Sequence, residues 1–173
     1  TEATVLQSIL RTGPAASSEA IELTGGSLTV VNSILETHEG AGTAVRCTGD
    51  SESLTLLHNL LHGGEQSFIA GDYSLEDIGL VTEESIELCN FGCCEEMAGN
   101  LIGDPVYLVT GNEDPDTWDF HLDASSPAVG AGMDIAPYLE VGFLLFLDGI
   151  LDLDGEVHPG ADGLWDIGLD SVQ

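Results

Sequence analysis

The sequence predicts an all-β solenoid, in which short strands of successive coils stack to form parallel sheets. Three observations support this prediction: a motif that recurs about every 25 residues, connections rich in turn-forming residues, and the lack of a helical period between the strands. A β-sandwich also uses short strands and turns, but its strands need not repeat one motif at one spacing. The solenoid is therefore favoured over the sandwich.

The first repeated motif contains two apolar residues, two polar or small residues and two further apolar residues. It occurs as VLQSIL (5–10), VVNSIL (30–35) and LLHNLL (56–61). The starts of these segments, at residues 5, 30 and 56, lie 25 and 26 residues apart. The second polar position holds Ser8, Ser33 and Asn59. This spacing predicts one motif in each of three successive coils.

Two further sets of short strands are predicted from the same repeat. SLTV (27–30) and SLTL (53–56) run directly into the first motif, and AIEL (20–23), AVRC (44–47) and SFIA (67–70) follow it after a connection. The connections, such as RTGPAASS and ETHEGAGT, are rich in Gly, Ser, Thr and Pro, which favour turns. Because side chains alternate along a strand, the inward-facing residues are expected to stack as ladders between coils.

The second half of the chain contains three distinctive motifs. In order, they are GNLIGDPVYLV (99–109), DFHLDASSPAVGAG (119–132) and DLDGEVHPGADGLWDIG (152–168). The Asp-Pro and Ser-Pro pairs in these motifs favour extended backbone before a turn, and the glycines permit close approach of two backbones. We expect this half of the chain to cover the open end of the solenoid as a cap.

The motifs and the repeats together resemble the C-terminal part of right-handed parallel β-helix proteins of the pectate-lyase-like superfamily, especially secreted bacterial surface proteins. The resemblance covers residues 27–169. It implies a right-handed parallel β-helix with a C-terminal cap, in which residues 1–98 form coils and residues 99–173 form the last coil and the cap. It also implies a single domain that is a fragment of a longer chain. One departure is His158, which stands where the family pattern usually carries Arg.

Charge is the extreme feature of the composition. Asp and Glu number 31, against Arg11, Arg46 and no Lys, so the formal net charge is −29. Such a surface repels phosphate backbones and anionic lipid, which excludes nucleic acid as a partner, and it attracts cations and basic proteins. Because self-repulsion costs stability unless ions screen it, the sequence favours a salty or calcium-bearing medium. A highly soluble surface without a specific cation site is the alternative.

An acidic series near the C-terminus is the candidate calcium site. Its members are Asp148, Asp152, Asp154, Glu156, Asp162 and Asp166. Calcium binds about six to eight oxygen ligands, and D-x-D-G delivers two carboxylates at one turn. The series is not an EF-hand, because alignment with that loop places Ile150 at the first ligand position and Ala161 at the last. In the alternative interpretation, Asp152 and Asp166 only accept backbone N–H groups in turns. No other cofactor is predicted.

The four cysteines, Cys47, Cys89, Cys93 and Cys94, form an even set that predicts up to two disulfides in an extracellular protein. Three pairings are open, and free buried thiols or a metal site are the alternatives. The longest apolar stretch, residues 141–151, is interrupted by an aspartate and is too short to cross a bilayer, so no membrane insertion is expected. These features predict a secreted or cell-surface protein.

An apolar segment, YLEVGFLLFLDGIL (138–151), separates two of the C-terminal motifs. We expect it to form a strand or a short helix that folds onto the core. The alternative is an exposed contact patch formed by Phe143, Leu144 and Phe146. Such a patch would bind a partner protein or a second copy of the chain.

The residues favour a non-enzymatic role. Polysaccharide lyases of the superfamily use Arg or Lys as the base, together with calcium, whereas Arg11 and Arg46 fall at non-equivalent places in successive coils. Glycoside hydrolysis needs only carboxylates, so a carbohydrate-active glycoside hydrolase is the alternative. The sequence contains no HExxH motif and no glycine-rich phosphate loop. We therefore predict an extracellular module for structure, adhesion or carbohydrate contact. Its predicted partner is a polysaccharide, another surface protein or an end-to-end copy of itself.

Overall fold

The computed structural model describes most of the repeat region and part of the C-terminal half. The described ranges are 1–12, 19–37, 43–48, 51–62, 69–71, 93–109, 119–139, 150–151, 157–158 and 163–168. Within these ranges, the chain forms fifteen β-strands and a single 3-10 turn at Ala136–Tyr138, and no α-helix. None of the described residues belongs to a helix long and apolar enough to cross a membrane. The all-β prediction is therefore confirmed for the described residues.

Eleven of the strands form three parallel sheets, and each sheet takes every third strand in chain order. Sheet A consists of β1 (Glu2–Leu6), β4 (Gly26–Val31), β7 (Glu52–Leu57) and β10 (Cys94–Ala98). Sheet B consists of β2 (Ile9–Arg11), β5 (Ile34–Glu36), β8 (Leu60–His62) and β11 (Leu101–Ile102). Sheet C consists of β3 (Glu19–Leu23), β6 (Thr43–Cys47) and β9 (Ile69–Gly71). Equivalent segments of the repeat are thus neighbours in the same sheet.

The strand register confirms the alignment of the first repeated motif. Val5 pairs with Val30, and Val30 pairs with Leu56, as expected from their equal positions in the motif. In the third set, the pairing register differs from the prediction by one residue. Val45 pairs with Ile69, whereas the alignment of AVRC with SFIA sets Val45 opposite Phe68. Two apolar residues stand side by side in that segment, so the apolar pattern did not distinguish between the two registers.

One hydrophobic cluster draws buried residues from all three sheets, which agrees with the predicted inward ladders. From sheet A it includes Leu28, Val30, Leu54, Leu56 and Met97, from sheet B Leu35 and Leu61, and from sheet C Leu23, Val45 and Cys47. Burial of a leucine or valine side chain contributes about 1.5–3 kcal/mol to folding. The ladders are therefore a main source of stability for the described strands.

A second layer covers outward-facing apolar residues beside the turn between sheets A and B. On sheet B, Ile34 and Leu60 pack under Leu122, Ala128 and Ile167. The same layer also covers sheet A, where Val31 and Leu57 pack under Ile135. The layer includes an antiparallel pair of short strands, β12 (Tyr107–Val109) and β13 (Asp119–Leu122). Two further strands, β14 (Ile150–Leu151) and β15 (Val157–His158), also form an antiparallel pair.

The C-terminal motifs lie against the side of the parallel sheets in the described ranges. The side chain of Asn32 donates to Met133 O (2.7 Å) and accepts from Met133 N (2.9 Å). Its backbone carbonyl accepts from Gly168 N (2.8 Å). One asparagine therefore binds both the residue that follows the SPAVGAG segment and the DIG segment. The described parts of the second and third motifs thus pack on the outward faces of sheets A and B. A cover over the open end of the solenoid stays a prediction.

Replacing Gly132 with Ala is expected to lower the free energy of unfolding by about 2 kcal/mol. A Cβ atom at this position would lie 2.8 Å from Asp166 O and 3.0 Å from Asn32 Nδ2. Both atoms are held by the layer, so the layer must shift. The matched control is Gly163→Ala, where a Cβ atom meets nothing within 4 Å and only the φ of +77° costs about 1 kcal/mol. Urea unfolding measures both variants, and equal losses would contradict the contact argument.

Candidate functional site

A two-residue turn connects sheet A to sheet B in each of the four successive repeats. The first residue of each turn has a positive φ, namely Gln7 (43°), Asn32 (49°), His58 (50°) and Gly99 (64°). This left-handed conformation costs a non-glycine residue about 1 kcal/mol, and Asn and Gly adopt it most readily. The repeat of this conformation aligns all four turns along one edge of the sheets.

The second residue of each turn forms a hydrogen-bonded ladder. Asn59 Oδ1 accepts from Ser33 N (2.9 Å), and Asn100 Oδ1 accepts from Asn59 N (2.9 Å). The amide nitrogens donate to backbone carbonyls of the preceding repeat, Asn59 Nδ2 to Val30 O (2.9 Å) and Asn100 Nδ2 to Leu56 O (2.8 Å). Asn59 is fully buried. The ladder therefore satisfies buried backbone groups, which explains the polar residue in each copy of the motif.

A histidine side chain in these turns contacts the layer that covers sheets A and B. His58 Nδ1 donates to Ala131 O at 3.0 Å, because a carbonyl oxygen only accepts. Gly99, the next residue in the row of first turn residues, leaves room for the imidazole, since a Cβ atom there would lie 2.6 Å from His58 Nε2. Both positions of these two-residue turns therefore make contacts that hold the fold together.

The outward face of sheet A carries rows of hydroxyl groups. Leu28 and Leu54 belong to the core cluster, so the residues beside them in the strand point away from the core. One row contains Thr4, Thr29 and Thr55, and a second contains Ser27 and Ser53. Thr4 is exposed, and the other four are partly exposed. We name these five residues the hydroxyl rows.

Two aromatic residues belong to the layer that covers one end of the outward face of sheet A. Two positions further along the strands, the same outward face carries Val31 and Leu57, which the layer covers. Tyr138 and Trp165 pack against the cluster formed by Val31, Leu57 and Ile135, and both are partly exposed. Together, the hydroxyl rows and the two aromatic residues form the candidate contact surface.

Both arginines form ion pairs with a glutamate on the neighbouring strand. Arg11 on sheet B lies 3.2 Å from Glu36, and Arg46 on sheet C lies 2.8 Å from Glu19. The two arginines lie in different sheets, which agrees with their non-equivalent places in the repeat. Since each already binds a carboxylate, neither is poised to hold an acidic sugar. The pairs instead connect one repeat to the next.

A polar cluster surrounds Glu36 on the outward face of sheet B. Arg11, Glu36 and His62 form one row, and His62 Nδ1 donates to Gly103 O at 3.0 Å. Tyr107 on β12 packs beside this row, with its ring edge-on to that of Phe120. Burial, followed by the negative charge of Glu36, raises the pKa of Tyr107 far above its ordinary value. Tyr107 therefore stays neutral and is not suited to act as a base.

No protein-family model, no curated protein and no solved structure matches this chain. The geometry of the described residues is accordingly the basis for assigning a function. Among those residues, no group of three or more His, Cys, Asp or Glu side chains is placed to hold a metal ion.

The predicted disulfide set is confirmed in part. Cys47 on β6 and Cys93, which precedes β10, form a disulfide that joins positions 46 residues apart. Cys94 is also disulfide-bonded. Cys89 lies outside the described residues. Both Cys47 and Cys93 are buried in the core cluster, so this disulfide connects strands of different repeats through the core.

Most of the predicted calcium series lies outside the described residues, namely Asp148, Asp152, Asp154, Glu156 and Asp162. The predicted contact patch, Phe143, Leu144 and Phe146, lies outside them as well. Asp166 is described and buried, and its Oδ1 accepts from Gly130 N at 2.6 Å. This bond agrees with the alternative interpretation, in which Asp166 holds a turn.

Sequence reasoning did not identify the hydroxyl rows or the cluster around Glu36. A signal for the rows was present, because SLTV and SLTL share Ser and Thr two positions apart, which places both hydroxyls on one face of a strand. No comparable signal marked Tyr107, which approaches Glu36 only because β12 packs on sheet B.

Proposed function

We propose that the chain is a run of coils from a right-handed parallel β-helix, similar to those of the pectate-lyase-like superfamily, that serves as a non-enzymatic extracellular or cell-surface module in contact with carbohydrate. The order of strands supports the fold, because β1 to β3, β4 to β6 and β7 to β9 visit the three sheets in the same sequence. Parallel crossover connections are right-handed in almost all proteins, which supports the handedness.

The observation that carries the structural part of this proposal is the set of bonds between successive repeats. Two ion pairs and the asparagine ladder connect each repeat to the next, and a core disulfide connects β6 to the residue before β10. Such bonds between repeats stabilise a rigid shaft. A rigid shaft with a repeated surface suits attachment to an extended ligand.

The extracellular part of the proposal is supported by the disulfide and by the charge. Disulfides persist in oxidising compartments and are rare in the cytosol. A net charge of −29 repels anionic partners and keeps the protein dispersed in a salty medium. Both properties suit a secreted or surface-attached protein.

The proposal predicts binding to polysaccharide without cleavage. We expect insoluble neutral β-glucan and chitin to retain the purified chain. An assay for newly formed reducing ends should show no cleavage of either polysaccharide above a protein-free blank over a day at pH 5 and pH 7. The assay is run with and without about 2 mM calcium, a range that suits extracellular sites. Retention without release supports the module.

Release of reducing ends would favour the alternative, a glycoside hydrolase. Glu36 and Asp104 are the described carboxylates that act together on Tyr107, so they are the pair to test. Loss of release in Glu36→Gln, with retention of release in the exposed Glu22→Gln, would assign the reaction to this cluster and overturn the non-enzymatic proposal.

A further inference from the structure

We infer that Glu95 and Glu96 form an end stop on the last coil of the described residues, which prevents a second copy of the chain from adding strands to β10 and β11. The inference concerns self-association, so it does not depend on the proposed carbohydrate contact.

Strands β10 and β11 form the edge at which the stack ends. Among the described strands, they are the last members of sheets A and B, and each pairs on one side only, β10 with β7 and β11 with β8. An edge strand presents unpaired N–H and C=O groups, which makes it a template for a strand of another chain. The asparagine ladder ends here too. Asn59 N donates to Asn100 Oδ1, whereas no described side chain accepts from Asn100 N.

This edge is also apolar. Leu101 and Ile102 on β11 are partly exposed, whereas the residues with which they pair on β8, Leu60 and Leu61, are fully buried. A further coil would cover both side chains, and removal of apolar surface from water favours association. A second copy would therefore gain hydrogen bonds and apolar burial at this edge unless something opposed the pairing.

A β-bulge interrupts the edge of sheet A. Cys94 pairs with Leu54, and Glu96 pairs with the next residue, Thr55, so Glu95 is an extra residue in β10. Strands β1, β4 and β7 pair with one another without such a shift. A bulge leaves one residue unpaired, bends its strand and increases the twist. The last strand therefore lacks the regular spacing that a further strand requires.

The bulge carries two carboxylates at the place where a further strand would pair. Glu95 and Glu96 are both exposed. A strand added to β10 would bury part of each side chain, and an unpaired carboxylate is costly to remove from water. Salt screens repulsion between exposed charges but does not remove this desolvation cost. The end stop therefore acts even in a medium that screens the net charge of −29.

The test measures self-association by sedimentation velocity in about 1 M sodium chloride, where the Debye length of about 3 Å screens repulsion between copies. Glu95→Gln/Glu96→Gln removes both charges and keeps the bulge. Deletion of Glu95 combined with Glu96→Thr removes the bulge as well and makes β10 regular. The matched control, Glu22→Gln/Asp134→Asn, removes two charges from exposed residues outside this edge. Thermal unfolding verifies that each variant folds.

We expect the native chain and the control to sediment as monomers. The glutamine variant should shift towards the dimer as its concentration rises. The deletion variant should form dimers or longer assemblies at about ten-fold lower concentration, which corresponds to about 1.4 kcal/mol of association free energy. The end stop is overturned if the folded deletion variant sediments as the control does. It is equally overturned if the native chain already associates and the deletion leaves that association unchanged. If the deletion variant does not fold, the glutamine variant decides, and sedimentation equal to that of the control overturns the end stop.

Discussion

Removing the Cys47–Cys93 disulfide is expected to lower the free energy of unfolding by about 4 kcal/mol. The bond closes a loop between residues 46 positions apart, and a loop of that length restricts the unfolded chain strongly. Both cysteines are buried among apolar residues, so alanine is the suitable replacement. Urea unfolding of Cys47→Ala/Cys93→Ala, compared with the native chain under oxidising conditions, measures the loss.

The double variant is more informative than a reducing agent alone. Cys94 is also disulfide-bonded, so a reductant acts on more than the bond between Cys47 and Cys93. Any further loss of stability that the reductant causes in the double variant therefore belongs to the bond at Cys94. A loss below about 1 kcal/mol in the double variant would contradict the loop argument, because it would mean that the unfolded chain is already compact around this pair.

Replacing Asn59 with Ala is expected to lower the free energy of unfolding by about 3 kcal/mol. Its side chain accepts from Ser33 N and donates to Val30 O and to Asn100 Oδ1, and the residue has no exposed surface. Each buried polar group left without a partner costs about 1–3 kcal/mol. Because the ladder connects three repeats, we expect the loss to appear as a lower urea midpoint for one cooperative transition.

Two further variants distinguish loss of the ladder's hydrogen bonds from loss of a polar side chain in general. In this ladder a serine hydroxyl can accept a backbone N–H, since Ser33 Oγ accepts from Ser8 N at 3.2 Å. Asn59→Ser should therefore lower the free energy of unfolding by less than Asn59→Ala does. Ser8→Ala should cost less than about 1 kcal/mol, since Ser8 is only partly buried and its hydroxyl donates to Leu6 O within its own turn. Equal losses in Asn59→Ala and Ser8→Ala would contradict the ladder.

The repeat and its register could be predicted because they are local properties of the sequence. Apolar and polar residues recur at equal spacing in VLQSIL, VVNSIL and LLHNLL, and parallel pairing of equal positions places apolar residues beside apolar residues on both faces of the sheets. The prediction failed by one residue at β9, where two neighbouring apolar residues made two registers equally suitable. Strands are therefore predictable here to the extent that their alternation is unambiguous.

The candidate contact surface was only partly visible in the sequence. The Ser-x-Thr pattern shows that two hydroxyls share one face of each strand, but it does not show which face is turned outward. That choice depends on the core, where Leu28 and Leu54 pack with residues of the other two sheets. The packing of Tyr138 and Trp165 on Val31, Leu57 and Ile135 depends in turn on the layer that Asn32 holds.

The amino-acid sequence was sufficient for the strand content, the spacing of the repeat and the strongly negative charge, because each is a property of neighbouring residues or of composition. The folded chain decided the partner of Cys47, the placement of the C-terminal motifs along the side of the sheets, and the ion pairs of the two arginines. These features join residues that are distant in sequence, so they depend on which surfaces pack together. Composition and spacing do not encode that choice, since several pairings satisfy the same local pattern.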